Sequence, residues 1–176
     1  MTIPNLITIA RLLMVPVIIV MLMQGEWGWA FALFVAAGAS DGVDGYLARR
    51  LDMRTEFGAY IDPLADKALL VSLYVTLPII GVLPGWLAIV IVSRDIMIIA
   101  AIMVSWLMDR PVEIKPLAIS KLNTAVQIAF AALVLGKKAF GLELSAFDTA
   151  AMWVVVVLTV ASVAAYLAKW LRHMAA

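Results

Sequence analysis

Residues 40–67 read SDGVDGYLARRLDMRTEFGAYIDPLADK, a polar stretch in a chain of 176 residues that are 65% hydrophobic. Asp41 and Asp44 are three positions apart, and Asp62 and Asp66 are four apart. Both spacings place the two carboxylates of a pair on one face of a helix. The polar run between the pairs, LDMRTEF, indicates a short turn between two antiparallel helices. The sequence therefore predicts that the two pairs of carboxylates face each other.

Four converging carboxylates need an explanation in so apolar a chain. An ionisable side chain at membrane depth costs roughly 2.5–3.5 kcal/mol on insertion scales, which makes a functional site the first hypothesis. Carboxylates without cations between them would repel each other, and an all-oxygen ligand set favours Mg²⁺, Ca²⁺ or Mn²⁺. The chain has no Cys and a single His, His173, so a thiolate or imidazole zinc site is excluded.

The composition predicts an all-α integral membrane protein. The mean hydropathy is +1.07, and we expect one membrane domain over residues 1–176. Six transmembrane helices are predicted, with an N-terminal interfacial helix segment leading into the first and a bend near Pro16. The first apolar run covers residues 2–25, and the other five segments are expected at about 29–50, 55–80, 86–108, 116–135 and 146–167. The last segment reads as hydrocarbon apart from Asp148 at its start.

The basic residues predict the orientation. Lys137 and Lys138 fall at one face of the six segments, whereas eight others fall at the opposite face: Arg11 (expected near the headgroups), Arg49, Arg50, Arg54, Arg110, Lys115, Lys169 and Arg172. The positive-inside rule puts the second face, both termini and the aspartates on the cytoplasmic side. The start of the chain lacks a basic leader and a cleavage site, so we expect a bacterial cytoplasmic membrane. A net charge of +1 argues against nucleic acid as a partner.

The pattern Asp41-x-x-Asp44-Gly45-x-x-Ala48-Arg49, followed after eight residues by Gly58-x-x-x-Asp62-x-x-x-Asp66, resembles the signature of the CDP-alcohol phosphotransferases. The resemblance implies a homodimeric, six-helix membrane enzyme with two divalent cations, Mg²⁺ or Mn²⁺, and a CDP-lipid donor such as CDP-diacylglycerol. By the same resemblance, the metal site comprises Asp41, Asp44, Asp62 and Asp66. The first three are its firm ligands, and Asp66, close to the metals, is also the catalytic general base. The donor pocket would comprise Asp44, Gly45, Ala48, Arg49 and Gly58.

Helix packing is the alternative role for the glycines. Gly38-x-x-x-Gly42 fits the small-residue interface of membrane helices. Glycine at these positions therefore agrees with close helix contact as well as with a nucleotide pocket.

Polar residues in two later segments are candidates for acceptor binding: Arg94 in the fourth, and Lys121 and Thr124 in the fifth. A structural ion pair between Arg94 and Asp95, or with a neighbouring helix, is an alternative. Asn123 and Gln127 lie on an adjacent face, where a role in joining helices is as plausible as contact with substrate.

Three stretches bear on the acceptor alcohol: TIPNLITIARLL (2–13), SRDIMIIAAIMV (93–104) and KPLAISKLNTAVQ (115–127). They resemble the branch of the family that transfers to phosphatidylglycerol and forms cardiolipin and CMP. The alternative branch uses glycerol 3-phosphate. It shares the N-terminal IPNL…T…R pattern, but usually carries a Gly-Lys pair and a second Lys where this chain has Ser120-Lys121 and Asn123. A cation transporter with charges near the midplane is an alternative of another class.

Overall fold

The computed structural model describes residues 3–50, 56–107, 117–143 and 145–175. Within these ranges, side chains at 3–6, 41–50, 56–64, 66, 102, 106, 145, 146, 174 and 175 lie outside the description. The described residues form six helices: α1 (Ile3–Met23), α2 (Trp27–Arg50), α3 (Glu56–Ile79), α4 (Gly85–Leu107), α5 (Ala118–Phe140) and α6 (Ser145–Ala175). The all-α class is thereby confirmed.

Three of these helices contain stretches long and apolar enough to cross a membrane. They are Gly85–Ser105, Ala118–Phe140 and Phe147–His173, of 21, 23 and 27 residues. The other three helices contain shorter apolar stretches, Ile7–Met23, Trp27–Ser40 and Lys67–Ile79. Six membrane crossings remain a prediction, since length and composition alone support three within the described residues.

The chain divides into two compact units. The first comprises Met1–Val82 with Ala131–Glu143, and the second Leu83–Phe130 with Leu144–Ala176. In the first unit α1 packs against both α2 and α3. Its buried apolar side chains follow helical spacing on each helix, as the burial of one face requires: Val15, Ile18, Leu22, Ala30, Phe34, Ala37, Leu69, Leu70, Leu73, Leu77, Ala131, Val134 and Leu135. In the second unit α4 packs against α6.

The predicted interfacial segment and first span form one helix. α1 runs from Ile3 to Met23 with Pro16 inside it. It ends where Gly25 adopts φ +77°, a conformation that glycine reaches without a Cβ clash. The Glu26 N–H donates to the Met21 carbonyl at 2.9 Å, which closes the helix end.

The fifth segment was expected to end near residue 135, with a turn after it, but α5 continues to Phe140 and the turn begins at Gly141. Gly136 is buried inside the helix, where an added Cβ would lie 3.2 Å from the ring of Phe31 on α2. The Phe31 and Phe140 rings meet edge to face, with centroids 5.7 Å apart. These contacts within the first unit favour helix over turn.

Candidate active site

The aspartate motif lies on two helices, as its spacing predicts. Residues 41–50 are helical at the end of α2, and residues 56–66 are helical at the start of α3. The side chains of all four aspartates lie outside the described set, as do those of Arg49 and the other proposed donor residues. The predicted turn covers LDMRTEF (51–57); its residues 51–55 lie outside the described set, and Glu56 and Phe57 already belong to α3. The helical backbone supports the one-face geometry, and the ligand roles stay predictions.

No group of three or more His, Asp or Glu residues that could hold a metal occurs among the described side chains. The four aspartates are outside that set, so this absence does not bear on them. Their chemistry fits a hard divalent cation, because every side-chain ligand they offer is an oxygen.

Arg11 is an unforeseen feature of the first unit. We expected it near the headgroups, but only 1% of its surface is exposed, and Thr8, one turn earlier, is equally buried. Both lie on α1, the helix that packs against the two aspartate-bearing helices. A buried guanidinium requires compensating polar contacts, so Arg11 is part of the polar interior of this unit.

Arg94 joins three helices of the second unit. It is 4% exposed and forms an ion pair with its neighbour Asp95, Nη1 to Oδ1 at 2.5 Å. Its Nη2 donates to Ser120 Oγ on α5 and, at 3.2 Å, to Ser162 Oγ on α6. The ion pair that the sequence left as an alternative is therefore present. Arg94 is a structural link as well as a candidate ligand for acceptor phosphate.

A second polar layer lies one helical turn away. Asn123 and Gln127 on α5 are 0% and 4% exposed, and both bond to Thr159 on α6. The Thr159 hydroxyl donates to Asn123 Oδ1 at 3.0 Å, and Gln127 Nε2 donates to Thr159 Oγ1 at 3.3 Å. Of the two roles left open for Asn123 and Gln127, these bonds support the joining of helices.

The two other acceptor candidates differ in what they can offer. Lys121 is exposed, so its ammonium is accessible to a ligand. Thr124 is half-buried, and its hydroxyl donates to the Ser120 carbonyl at 3.1 Å. Thr124 therefore has only lone pairs left to offer, which suit a substrate hydroxyl better than a phosphate oxygen.

An apolar cleft of about 430 Å³, including its open part, lies between α4 and α6 beside Arg94. Met97, Ala101, Leu167 and Trp170 contribute to its walls. The indole Nε1 of Trp170 donates to the Ala101 carbonyl at 3.1 Å and to Ser105 Oγ at 2.8 Å. These bonds fix the end of α6 against α4.

The sequence analysis gives Ser120 on α5 no role of its own, and it passes over Thr159 and Ser162 because it reads α6 as hydrocarbon. A usable signal was present in the spacing. Thr159 and Ser162 are three apart on α6, and residues 120, 123 and 127 follow the i, i+3, i+7 rule on α5. Small polar residues at helical spacing in an apolar helix are typical of a polar helix–helix interface in membranes.

Comparison with known proteins places the chain in a family. The model of the CDP-alcohol phosphatidyltransferases matches residues 1–161. A CDP-diacylglycerol–glycerol-3-phosphate 3-phosphatidyltransferase of Bacillus subtilis is 35% identical over 94% of this chain and 93% of its own length. The chain therefore belongs to the CDP-alcohol phosphatidyltransferase family and is an enzyme of that class.

Relatives named cardiolipin synthase are similarly identical over a smaller share of both chains. A probable cardiolipin synthase (CMP-forming) of Drosophila melanogaster is 35% identical over 77% of this chain and 47% of its own length. The human cardiolipin synthase (CMP-forming) is 34% identical over 79% of this chain and 52% of its own length. The chain thus spans about half the length of these cardiolipin synthases.

Proposed function

We propose that this enzyme is a cardiolipin synthase, which transfers the phosphatidyl group of CDP-diacylglycerol to phosphatidylglycerol and releases CMP. The observation that favours phosphatidylglycerol over glycerol 3-phosphate as acceptor is that the described contacts of Arg94 balance its charge and add no second cation. Asp95 balances its charge, and its partners on α5 and α6 are serines. Asn123, where the alternative branch carries a second lysine, is fully buried against Thr159. Fewer free cations suit a phosphodiester with one charge better than a phosphate monoester with nearly two.

In the proposed chemistry, the acceptor hydroxyl attacks the phosphorus that bears the diacylglycerol. The new bond is between that oxygen and phosphorus, and the bond to the CMP oxygen breaks. Asp66 receives the hydroxyl proton as general base, aided by its position one turn from Asp62. Asp41, Asp44 and Asp62 would hold two cations, Mg²⁺ or Mn²⁺. Bound there, such cations would neutralise the diphosphate and the leaving CMP.

The donor site is assigned to the motif helices. Arg49 would hold a diphosphate oxygen through charge-assisted hydrogen bonds. The small residues Gly45, Ala48 and Gly58 would let the cytidine approach the backbone, and Asp44 would serve both donor and metal. Gly38, the first residue of the packing pattern, is exposed, and a Cβ there would meet nothing within 4 Å among the described residues.

The acceptor site is assigned to Lys121, Arg94 and Thr124. Lys121 supplies an accessible charge for the phosphate of phosphatidylglycerol. We further propose a single catalytic domain over residues 1–176, a homodimer, and a multi-pass enzyme of a bacterial cytoplasmic membrane. Its active site would face the cytoplasm, where a nucleotide-activated lipid presents its cytidine.

Transfer to glycerol 3-phosphate is the second candidate, favoured by the near-complete match to the Bacillus subtilis relative. An assay of CMP release by purified protein, with CDP-diacylglycerol and either acceptor, separates the two. We expect release that requires phosphatidylglycerol and Mg²⁺ or Mn²⁺, and that excess EDTA abolishes. Full turnover in EDTA would refute the metal assignment. Asp41→Asn should remove most of the activity, with Asp148→Asn, outside the motif, as the control.

A further inference from the structure

The Nη2 atom of Arg94 is engaged twice. A guanidinium has two edges that can hold a phosphate through parallel N–H bonds, Nε with Nη2 and Nη1 with Nη2. Both edges include Nη2, and its two hydrogens are directed to Ser120 Oγ and Ser162 Oγ. While both serines accept these hydrogens, neither edge is free to bind a phosphate bidentately.

The remaining donors of Arg94 are separated from each other. One Nη1 hydrogen goes to Asp95 Oδ1, and Nε is buried without a hydrogen-bond partner among the described residues. Arg94 can thus offer a ligand only single hydrogen bonds, from Nε and from the second Nη1 hydrogen. Its charge is also offset by the neighbouring carboxylate of Asp95.

Resting on the proposed function, we propose that Ser120, supported by Ser162, is a specificity-determining residue for the acceptor. Its hydroxyl accepts a hydrogen bond from Nη2 and thereby prevents Arg94 from binding a phosphate bidentately. A phosphate monoester would gain most from bidentate binding, because it carries up to two charges and three free oxygens. A phosphodiester has one charge and depends less on it. Ser120 therefore disfavours glycerol 3-phosphate relative to phosphatidylglycerol.

The test is the acceptor preference of Ser120→Ala, measured as kcat/KM for each acceptor at saturating CDP-diacylglycerol. Freeing one Nη2 hydrogen should raise the preference for glycerol 3-phosphate by roughly tenfold or more, the effect of one charge-assisted hydrogen bond. The change should reside in the acceptor KM, with the donor KM unaltered. Ser162→Ala should shift the preference in the same direction, and Ser120→Thr, which retains the hydroxyl, should restore it.

Ser93→Ala is the matched control, because the Ser93 hydroxyl donates to the Val90 carbonyl of its own helix at 3.1 Å. It should leave the preference as in the wild type. If the wild type forms cardiolipin but Ser120→Ala lowers kcat/KM equally for both acceptors, the inference about Ser120 is overturned and the proposed function stands. A wild type that uses glycerol 3-phosphate and no phosphatidylglycerol would overturn the proposed function and the inference together.

Discussion

Replacing Thr159 by Val tests the polar layer between α5 and α6. The substitution conserves shape and removes one hydroxyl, which donates to Asn123 Oδ1 and accepts from Gln127 Nε2. Asn123 is fully buried, and its Nδ2 already has no hydrogen-bond partner among the described residues. Losing the remaining bond leaves a buried amide unsatisfied.

The expected cost follows from the chemistry of buried amides. A buried polar group that loses its partner destabilises a protein by about 1–3 kcal/mol. Hydrogen bonds between membrane helices average about 0.6 kcal/mol and reach about 1.7 kcal/mol. We therefore expect Thr159→Val to lower the free energy of unfolding by about 1–1.7 kcal/mol, where the two ranges overlap.

The assay is unfolding in mild detergent, followed by circular dichroism, for a double-mutant cycle with Asn123→Leu. Removing both partners together should cost less than the sum of the single changes, because no unpaired group is then buried. Thr124→Val is the control, since that hydroxyl bonds only the backbone of its own helix in the contacts described, and it should change stability little. Strict additivity of the cycle would refute the reasoning.

Three other changes test the fold and the site. Gly136→Leu should destabilise the fold by about 1–3 kcal/mol through overpacking against Phe31. Gly38→Leu is the control, because a Cβ at Gly38 meets nothing within 4 Å among the described residues. Equal unfolding midpoints for the two variants would contradict the packing of Gly136 against Phe31. Asp66→Asn should lower kcat by roughly 10²–10⁴-fold with donor KM unchanged, and rescue by extra Mg²⁺ would make Asp66 chiefly a ligand. Cysteine introduced at Met53 should react with an impermeant reagent only from the cytoplasmic side, and periplasmic labelling would overturn the orientation.

Much of the fold follows from local signals. Gly25 and Gly81 mark helix ends, and the polar motif marks where α2 gives way to α3. The predicted end of α5, near residue 135, was wrong, because Gly136, Lys137 and Lys138 in succession are typical of a turn. The deciding contacts come from elsewhere in the first unit: Phe31 packs on Gly136, and Lys138 Nζ lies 5.7 Å from the centre of the Trp27 ring. The local sequence around Gly136 does not show which residues of another helix will pack against it.

The candidate site likewise has features that the sequence predicts and features that depend on how the helices pack. The spacing of Asp41 to Asp66 indicates its chemistry, because carboxylates at helical intervals in an apolar chain need a cation. Burial of Arg11 and the linking role of Arg94 depend on which helices pack together, and periodicity does not specify that. Thr159 and Ser162 were overlooked, because the sequence of one apolar helix does not show whether its hydroxyls have hydrogen-bond partners on another helix.

The most direct measurement is the lipid product formed when both acceptors compete. Purified enzyme in vesicles would receive CDP-diacylglycerol, isotope-labelled phosphatidylglycerol and equimolar glycerol 3-phosphate with Mg²⁺, and the products would be identified by mass spectrometry. The proposed function predicts labelled cardiolipin in amounts equal to the CMP released. Phosphatidylglycerophosphate as the matching product, with the labelled phosphatidylglycerol unchanged, would contradict it.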